Sequence, residues 1–297
     1  MIVKSPAKIN LFLEILSRRP DGYHNIFSLM EKISLFDELQ FEKIPSGIEV
    51  HCPAVDGPPE KNLVYKAAML LKQKGKVSYG ARLQVKKNIP MGGGLGGGSS
   101  NAATVLKVLN RLWGLDWPST KLAELGSKLG ADVPFFINDG PAHIEGIGDQ
   151  ITSLTNLPNL SIILINPGVS ISTPWAYSAW DVRKSLTLSA VKESDTFGKG
   201  SLTPQNRSVT SRRTFAEIIQ ELHNDFESVV IPKYPEIQKA KEALKYAGAE
   251  GVLMSGSGST VFGLFDRKEK RDGALQQIKI QPKWQIFAVE NWGVDKR

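Results

Sequence analysis

The segment Ile89–Asn101, IPMGGGLGGGSSN, constrains this chain more than any other, because six of the seven residues Gly92–Gly98 are glycine. Glycine reaches backbone dihedrals closed to other residues and lets the main chain approach a ligand closely. Before the glycines, Ala81, Leu83 and Val85 alternate with Arg82, Gln84 and Lys86, the period of a strand, and Pro90 stops that run. After them, Ala102, Val105, Leu106, Leu109 and Leu112 recur at helical spacing, with Ser99, Ser100 or Asn101 available as the N-cap. A glycine turn feeding a helix start presents N–H groups backed by the positive end of the helix dipole, a site for an anion and most often a phosphate. Linkers are not usually fitted this closely between a strand and a helix. The loop lacks the lysine that follows the last glycine of a Walker A loop, and Asp116, which could mimic the acid of a dinucleotide fold, precedes Trp117-Pro118 and reads as a helix cap.

The 297 residues suffice for two domains or one large one. The single cysteine, Cys52, permits no intrachain disulfide and no cysteine-based zinc cluster, and it suits a reducing compartment. Pro6 and Lys8 interrupt the amino-terminal stretch where a secretion signal needs an apolar core. Apolar runs such as Ile162–Ile165 are too short to span a bilayer. The net charge of +7 fits an anionic small substrate as well as nucleic acid, and the basic residues form no dense tract. Arg207, Arg212 and Arg213 come closest, inside a Ser/Thr-rich stretch, Ser185–Thr214, that reads as a long loop or partly disordered insert. No nucleic-acid or membrane partner is expected.

Strand and helix patterns mix throughout. Ile9, Leu11, Leu13 and Ile15 alternate with Lys8, Asn10, Phe12 and Glu14 in one expected strand. Asn62–Lys74 reads as a helix, and so does the stripe Leu122, Leu125, Leu129 that Gly130 ends. Further on come a strand at Ser161–Asn166, helices at Phe215–Leu222 and Pro235–Tyr246, and strands at Gly251–Met254, Thr260–Phe265 and Gln285–Glu290. This mixture is α+β rather than a doubly wound sheet, with a domain boundary between 157 and 158.

Four other segments carry candidate chemistry, each with a bland alternative. Lys8 and Asn10 share one face of their strand, which alone could be an exposed face. Asp21-Gly22-Tyr23-His24-Asn25 is a turn presenting an aromatic beside an imidazole, either a surface or a recognition loop. Asp132, a lone acid in GADVPFF, could simply cap the next helical turn. Ser255–Thr260 is a second small-residue turn, a hairpin or a second anion cradle. Two cradles, one lysine and one aspartate together suggest phosphoryl transfer, which needs charge neutralised on the moving group and an acceptor hydroxyl oriented in line. His51, His143 and His223 have no metal spacing, and they and Cys52 read as structural; of the tryptophans, Trp175 alone lies near a proposed pocket.

In this order PAKINL, DGYHN, PMGGGLGGGSSNAAT, GADVPFF and GSGSTVF resemble the GHMP family of small-molecule kinases, nearly end to end. The resemblance implies a two-domain α+β fold: 1–157 a domain like ribosomal protein S5 domain 2 with the phosphate loop and catalytic pair, 158–297 a ferredoxin-like domain completing the substrate pocket. It implies ATP as phosphoryl donor, Mg2+ carried with ATP and held by phosphate oxygens and waters with no dedicated carboxylate, and a cytidine-diphosphate-linked methylerythritol as small-molecule acceptor on the non-mevalonate route to isoprenoid precursors. It implies Lys8 and Asp132 as the catalytic pair. Pro90, Met91, Gly92, Gly93, Gly94, Leu95, Gly96, Gly97, Gly98, Ser99 and Ser100 would wrap the nucleotide, with Asn62 on the adenosine side and Ser99 or Ser100 able to add a magnesium ligand. Asn10, Tyr23, His24, Thr173 and Tyr177 would hold the substrate, Tyr177 standing where many members have phenylalanine. Tyr23 and Tyr177 would stack on the cytosine, and His24 would read its edge. A monomer or weak homodimer in a bacterial cytoplasm or a plastid stroma is expected.

Two rivals remain at this level. Another member of the family, acting on homoserine, mevalonate or a sugar, would share the loop but has no nucleobase for Tyr23 and Tyr177. An RNA-binding relative of the same fold would need a dense basic patch or interleaved surface aromatics.

Overall fold

The structure is a computed structural model that describes residues 1–55, 57–155, 157–191 and 213–292. The first half contains β1 (Ile2–Arg18), β2 (His24–Ile44), β3 (Ile48–His51), α1 (Leu63–Gly75), β4 (Gly80–Lys86), α2 (Gly97–Leu112), α3 (Ser119–Ser127), α4 (Val133–Ile137), β5 (Ala142–Glu145) and β6 (Gln150–Ser153). The second half contains β7 (Ser161–Asn166), α5 (Thr173–Val191), α6 (Phe215–Glu221), β8 (His223–Asn224), α7 (Glu227–Lys233), α8 (Pro235–Tyr246), β9 (Gly251–Met254), β10 (Val261–Phe265), α9 (Lys268–Gln277) and β11 (Gln285–Glu290).

Two sheets organise these elements. The first runs β3-β4-β2-β1-β8, with β5 on β2 and β6 on β5. The second is antiparallel in the order β11-β7-β10-β9, the arrangement of a β-α-β-β-α-β ferredoxin-like unit. Helices α1 to α4 pack on the first sheet through Val64, Leu71, Val105, Leu106, Leu122 and Phe135. A second apolar cluster joins the sheets to each other, with Ile9, Leu11 and Phe12 of β1 against Ile162, Leu164 and Phe262. The chain thus builds an α+β fold of two parts. Two pairings cross the 157/158 division: β8 lies parallel to β1, and Asn291 bridges to Ile33.

The strict alternation expected along β1 does not hold. Its pairing with β2 shifts register between Asn10 and Phe12, a bulge that places Phe12 in the same cluster as Ile9 and Leu11. β1 is also an interior strand covered on both faces, so Lys8 is 4% exposed and Asn10 0%, which removes the reading of an exposed strand face. The polar stretch from Ser185 begins as helix, because α5 continues to Val191. It ends in helix as well, where Thr214 and Glu217 form a capping box at the start of α6. The rest of that stretch, including Arg207 and Arg212, lies outside the described residues. Among the described residues no helix is long and apolar enough to cross a membrane.

Candidate active site

A cleft of about 870 Å³ opens at the seam where β1, the start of α2, the Ala131–Asp132 turn, the start of α5 and the β9–β10 loop converge. The glycine loop forms one wall. The amide of Lys8 donates to Leu95 O at 3.0 Å, which ties the loop to β1. Gly94 has φ +76, and a Cβ there would stand 2.1 Å from Ser255 O. Gly96 has φ +69, and a Cβ there would press on Phe136 and on Lys8. Both positions therefore need glycine for conformation and for space. Gly96 is also the N-cap of α2 and offers no side chain, so no cap hydrogen bond occupies the first-turn N–H groups. Gly97, Gly98 and Ser99 all line the cleft, and a helix start without a side-chain cap can receive an anion there.

The second small-residue turn is both a hairpin and a buttress. It joins β9 to β10, Ser255 Oγ donates to Gly94 O at 3.0 Å, and the amide of Thr260 donates to Gly93 O at 3.1 Å. Gly256 sits so close to Lys8 Nζ and Asn10 Oδ1 that a Cβ would lie 3.2 and 3.4 Å away. The turn thus fixes the edge of the first loop and the position of the Lys8 ammonium.

Lys8 Nζ donates to Asn10 Oδ1 at 2.5 Å and lies 3.9 Å from Asp132 Oδ2. Asn10 is in turn held by Nδ2 donating to Ser28 Oγ at 2.8 Å. Asp132 occupies the N-cap position of α4 but makes no cap hydrogen bond; its carboxylate faces Lys8 instead. The side chains are 5% and 32% exposed, so a buried ammonium meets a carboxylate open to the cleft. Burial pushes the Lys8 pKa below the usual lysine range, and the Asp132 charge partly restores it. A cation held in place by a carboxylate, beside an uncapped helix start, can stabilise an alkoxide or a transferring phosphoryl group.

At the far end, His24 is gripped by α5. Tyr177 stacks on its ring with centroids 4.6 Å apart and planes 17° apart, Trp180 meets it edge-on at 6.0 Å, and Asp181 Oδ1 lies 2.7 Å from Nε2. Tyr177 also packs edge-to-face on Phe226. Burial first, and the Asp132 charge second, raise the Tyr177 hydroxyl to about 12. Tyr23 is 62% exposed at the cleft rim. Thr173 lines the cleft with Oγ1 2.8 Å from Ser257 Oγ. Tyr177 is therefore engaged by His24 rather than paired with Tyr23 across an open slot.

Asn62, Pro90 and Met91 also line the cleft, as do Cys52 and Leu63. Asn62 Oδ1 accepts from the amide of Val64 at 2.9 Å as the N-cap of α1. Ser100 does not join the cleft wall. It is 1% exposed, its Oγ is 2.7 Å from Ser5 Oγ, and its amide donates to Gly96 O. Both of its polar groups are turned inward, so Ser99 is the serine of the pair that faces the cleft.

Sequence reading missed Asp37 and Asp181. Asp37 is fully buried and staples both stems of the glycine loop. Its Oδ1 accepts from the amides of Asn88 and Ile89, and its Oδ2 from Lys87 Nζ and from Asn101 Nδ2 in α2. Asp181 carried a signal that went unused: Thr173, Tyr177 and Asp181 recur every fourth residue and share one face of α5.

Residues 62–140 match the GHMP kinases N terminal domain, and residues 207–283 match GHMP kinases C terminal. A 4-diphosphocytidyl-2-C-methyl-D-erythritol kinase of Syntrophus aciditrophicus is 39% identical over 97% of this chain and 98% of its own. One from Geobacter sp. strain M21 is 42% identical over 96% of each chain. The crystal structure of a 4-(cytidine 5'-diphospho)-2C-methyl-D-erythritol kinase superposes with a TM-score of 0.79 at 32% identity, covering 99% of this chain and 100% of the other. A mevalonate kinase shares the fold at TM-score 0.72 and 11% identity. With both segments matched and full-length relatives near 40% identity, the chain belongs to the GHMP kinases.

Proposed function

We propose that the protein transfers the γ-phosphoryl group of ATP to the 2-hydroxyl of 4-diphosphocytidyl-2-C-methyl-D-erythritol, as a cytoplasmic enzyme of the non-mevalonate route to isoprenoid precursors. The observation that carries this reading is one continuous cleft with an anion cradle at its centre, the Lys8–Asp132 pair beside it and a ring-and-carboxylate cluster at one end. Full-length relatives named for this activity support the choice of acceptor.

The chain's own groups divide the work as follows. The first-turn amides of α2 and the glycine loop receive the phosphates. Asp132 accepts or orients the acceptor hydroxyl's proton, and Lys8 holds the developing alkoxide and the carboxylate in one place. The acceptor oxygen forms its bond to the γ-phosphorus as the bond to the β–γ bridging oxygen breaks and ADP leaves, largely by positioning and charge neutralisation. Asn10, set by Ser28, keeps Lys8 from swinging away. Among the described residues no cluster of three or more His, Cys, Asp or Glu side chains could hold a metal ion. Magnesium would be carried by phosphate oxygens and waters, with the Ser99 hydroxyl, which lines the cleft, as the protein donor. When bound, that ion neutralises charge on the β- and γ-phosphates.

The test is ADP release measured with four acceptors: the cytidylyl compound, homoserine, mevalonate and galactose. Turnover with the first alone supports the proposal. Turnover with another acceptor and none with the cytidylyl compound would replace it.

A further inference from the structure

The His24 ring has two nitrogens with different fates. Nε2 lies 2.7 Å from Asp181 Oδ1, while among the described residues no hydrogen-bond partner of Nδ1 is found. His24 is nevertheless 7% exposed and lines the cleft, so Nδ1 is the ring atom left to meet a ligand. A carboxylate can only accept a hydrogen bond. The hydrogen of a neutral His24 ring therefore sits on Nε2, and Nδ1 presents a lone pair.

The ring is also held against rotation. Tyr177 and Asp181 are four residues apart on α5, so one helix face supplies both the stacked partner and the edge partner. Asp181 is itself anchored, with its second oxygen, Oδ2, 3.6 Å from Arg18 Nε. Arg18 pairs across the β1–β2 turn with His24, which places cation, carboxylate and imidazole in one row.

We infer that Asp181 is a positioning residue that makes His24 Nδ1 an acceptor for an exocyclic amino group, and so selects cytosine over uracil. The inference rests on the proposed cytidylyl substrate. Cytosine carries an amino group where uracil carries a carbonyl oxygen. A fixed lone pair meets a donor in the first and another lone pair in the second. Leaving a buried polar group facing the wrong partner is the strongest form of small-molecule discrimination.

Asp181→Asn tests this, because an amide can donate to Nε2 and so release the other tautomer. Three measurements belong together. The first is the ratio of dissociation constants for CDP and UDP by calorimetry. The second is kcat/KM for the cytidylyl substrate and its uridylyl analogue. The third is the nitrogen-15 spectrum of histidine-labelled protein, with the His24 signal assigned by its loss in His24→Gln. The wild type should show hydrogen on Nε2 and prefer CDP. Asp181→Asn should mix the tautomers and cut the CDP preference about tenfold or more, with UDP binding held or improved. Asp181→Glu should restore part of the preference, because it keeps an acceptor-only group.

An equal loss for CDP and UDP would mean a purely structural role and overturn the inference. So would an unchanged ratio, or a wild-type ring protonated on Nδ1. The proposed reaction fails separately: no turnover of the cytidylyl substrate with a ratio that still depends on residue 181 rejects the reaction and keeps the positioning role. Turnover with a ratio indifferent to residue 181 does the reverse.

Discussion

Replacing Asp132 with asparagine removes the charge opposite Lys8 and changes almost nothing in shape. At 3.9 Å the pair attracts by about 4 kcal/mol at the effective dielectric of a protein surface. The variant loses that attraction together with the acceptor for the hydroxyl's proton. General-base assistance alone contributes roughly 10² to 10⁴ in rate, or about 3 to 5 kcal/mol of barrier. The expected result is a fall in kcat of that size with both KM values within about threefold, since neither the loop nor the base pocket is touched. Folding should survive, because Lys8 is already held below the usual lysine range by burial and can give up its proton instead of remaining charged and unpaired. Steady-state ADP release at saturating substrate gives kcat, and a thermal melt checks the fold. Because Asp132 and Lys8 act on the same oxygen, Asp132→Asn combined with Lys8→Met should be about as slow as the slower single variant. Near-normal turnover of Asp132→Asn, or strictly additive losses, would refute this division of labour.

Other outcomes follow from the same geometry. Gly94→Ala places a Cβ 2.1 Å from Ser255 O and 3.0 Å from Gly258 O at φ +76, so the two loops must part by about 1 Å; kcat/KM for ATP should fall roughly 100-fold, and wild-type kinetics would contradict the loop-on-loop packing. Tyr177→Phe should stay within about threefold of wild type, because the hydroxyl at about 12 remains protonated through the working range; Tyr177→Ala should raise the cytidylyl KM about tenfold or more by freeing His24, and an unchanged KM would remove Tyr177 from the pocket. Burial lifts Glu31 to about 8 from 4.5, so the folded chain keeps that proton after the unfolded chain has lost it. Stability from this group is full below about pH 4.5 and declines as pH rises to about 8, by up to roughly 5 kcal/mol. Glu31→Gln should therefore melt increasingly above wild type between pH 5 and 8, and a pH-independent difference in melting temperature would contradict the assignment.

Local chemistry left its mark on the sequence where one segment determines its own structure. The helix from Pro235 to Tyr246 and the strand from Gln285 to Glu290 fall where their apolar periods place them. Glycines between a strand and an apolar helical stripe marked the anion cradle in the same way. Contacts that depend on distant partners left no local period. Asp37 reaches the loop stems 50 to 64 residues away, and Asp181 meets His24 across 157 residues. The bulge after Asn10 hides the interior position of β1, because alternation along a strand does not reveal what covers its second face. Ser100 looked like its neighbour Ser99, but one helical step of about 100° turns it from the cleft to Ser5.

Phosphorus NMR on the product formed from ATP and the cytidylyl substrate locates the new ester. The acceptor carbon at position 2 bears a methyl group and no hydrogen. Transfer to that hydroxyl should give ADP and one new phosphomonoester resonance without three-bond splitting from a proton on the ester carbon. A resonance split by such protons, as from a primary or secondary alcohol, or no new ester at all, would contradict it.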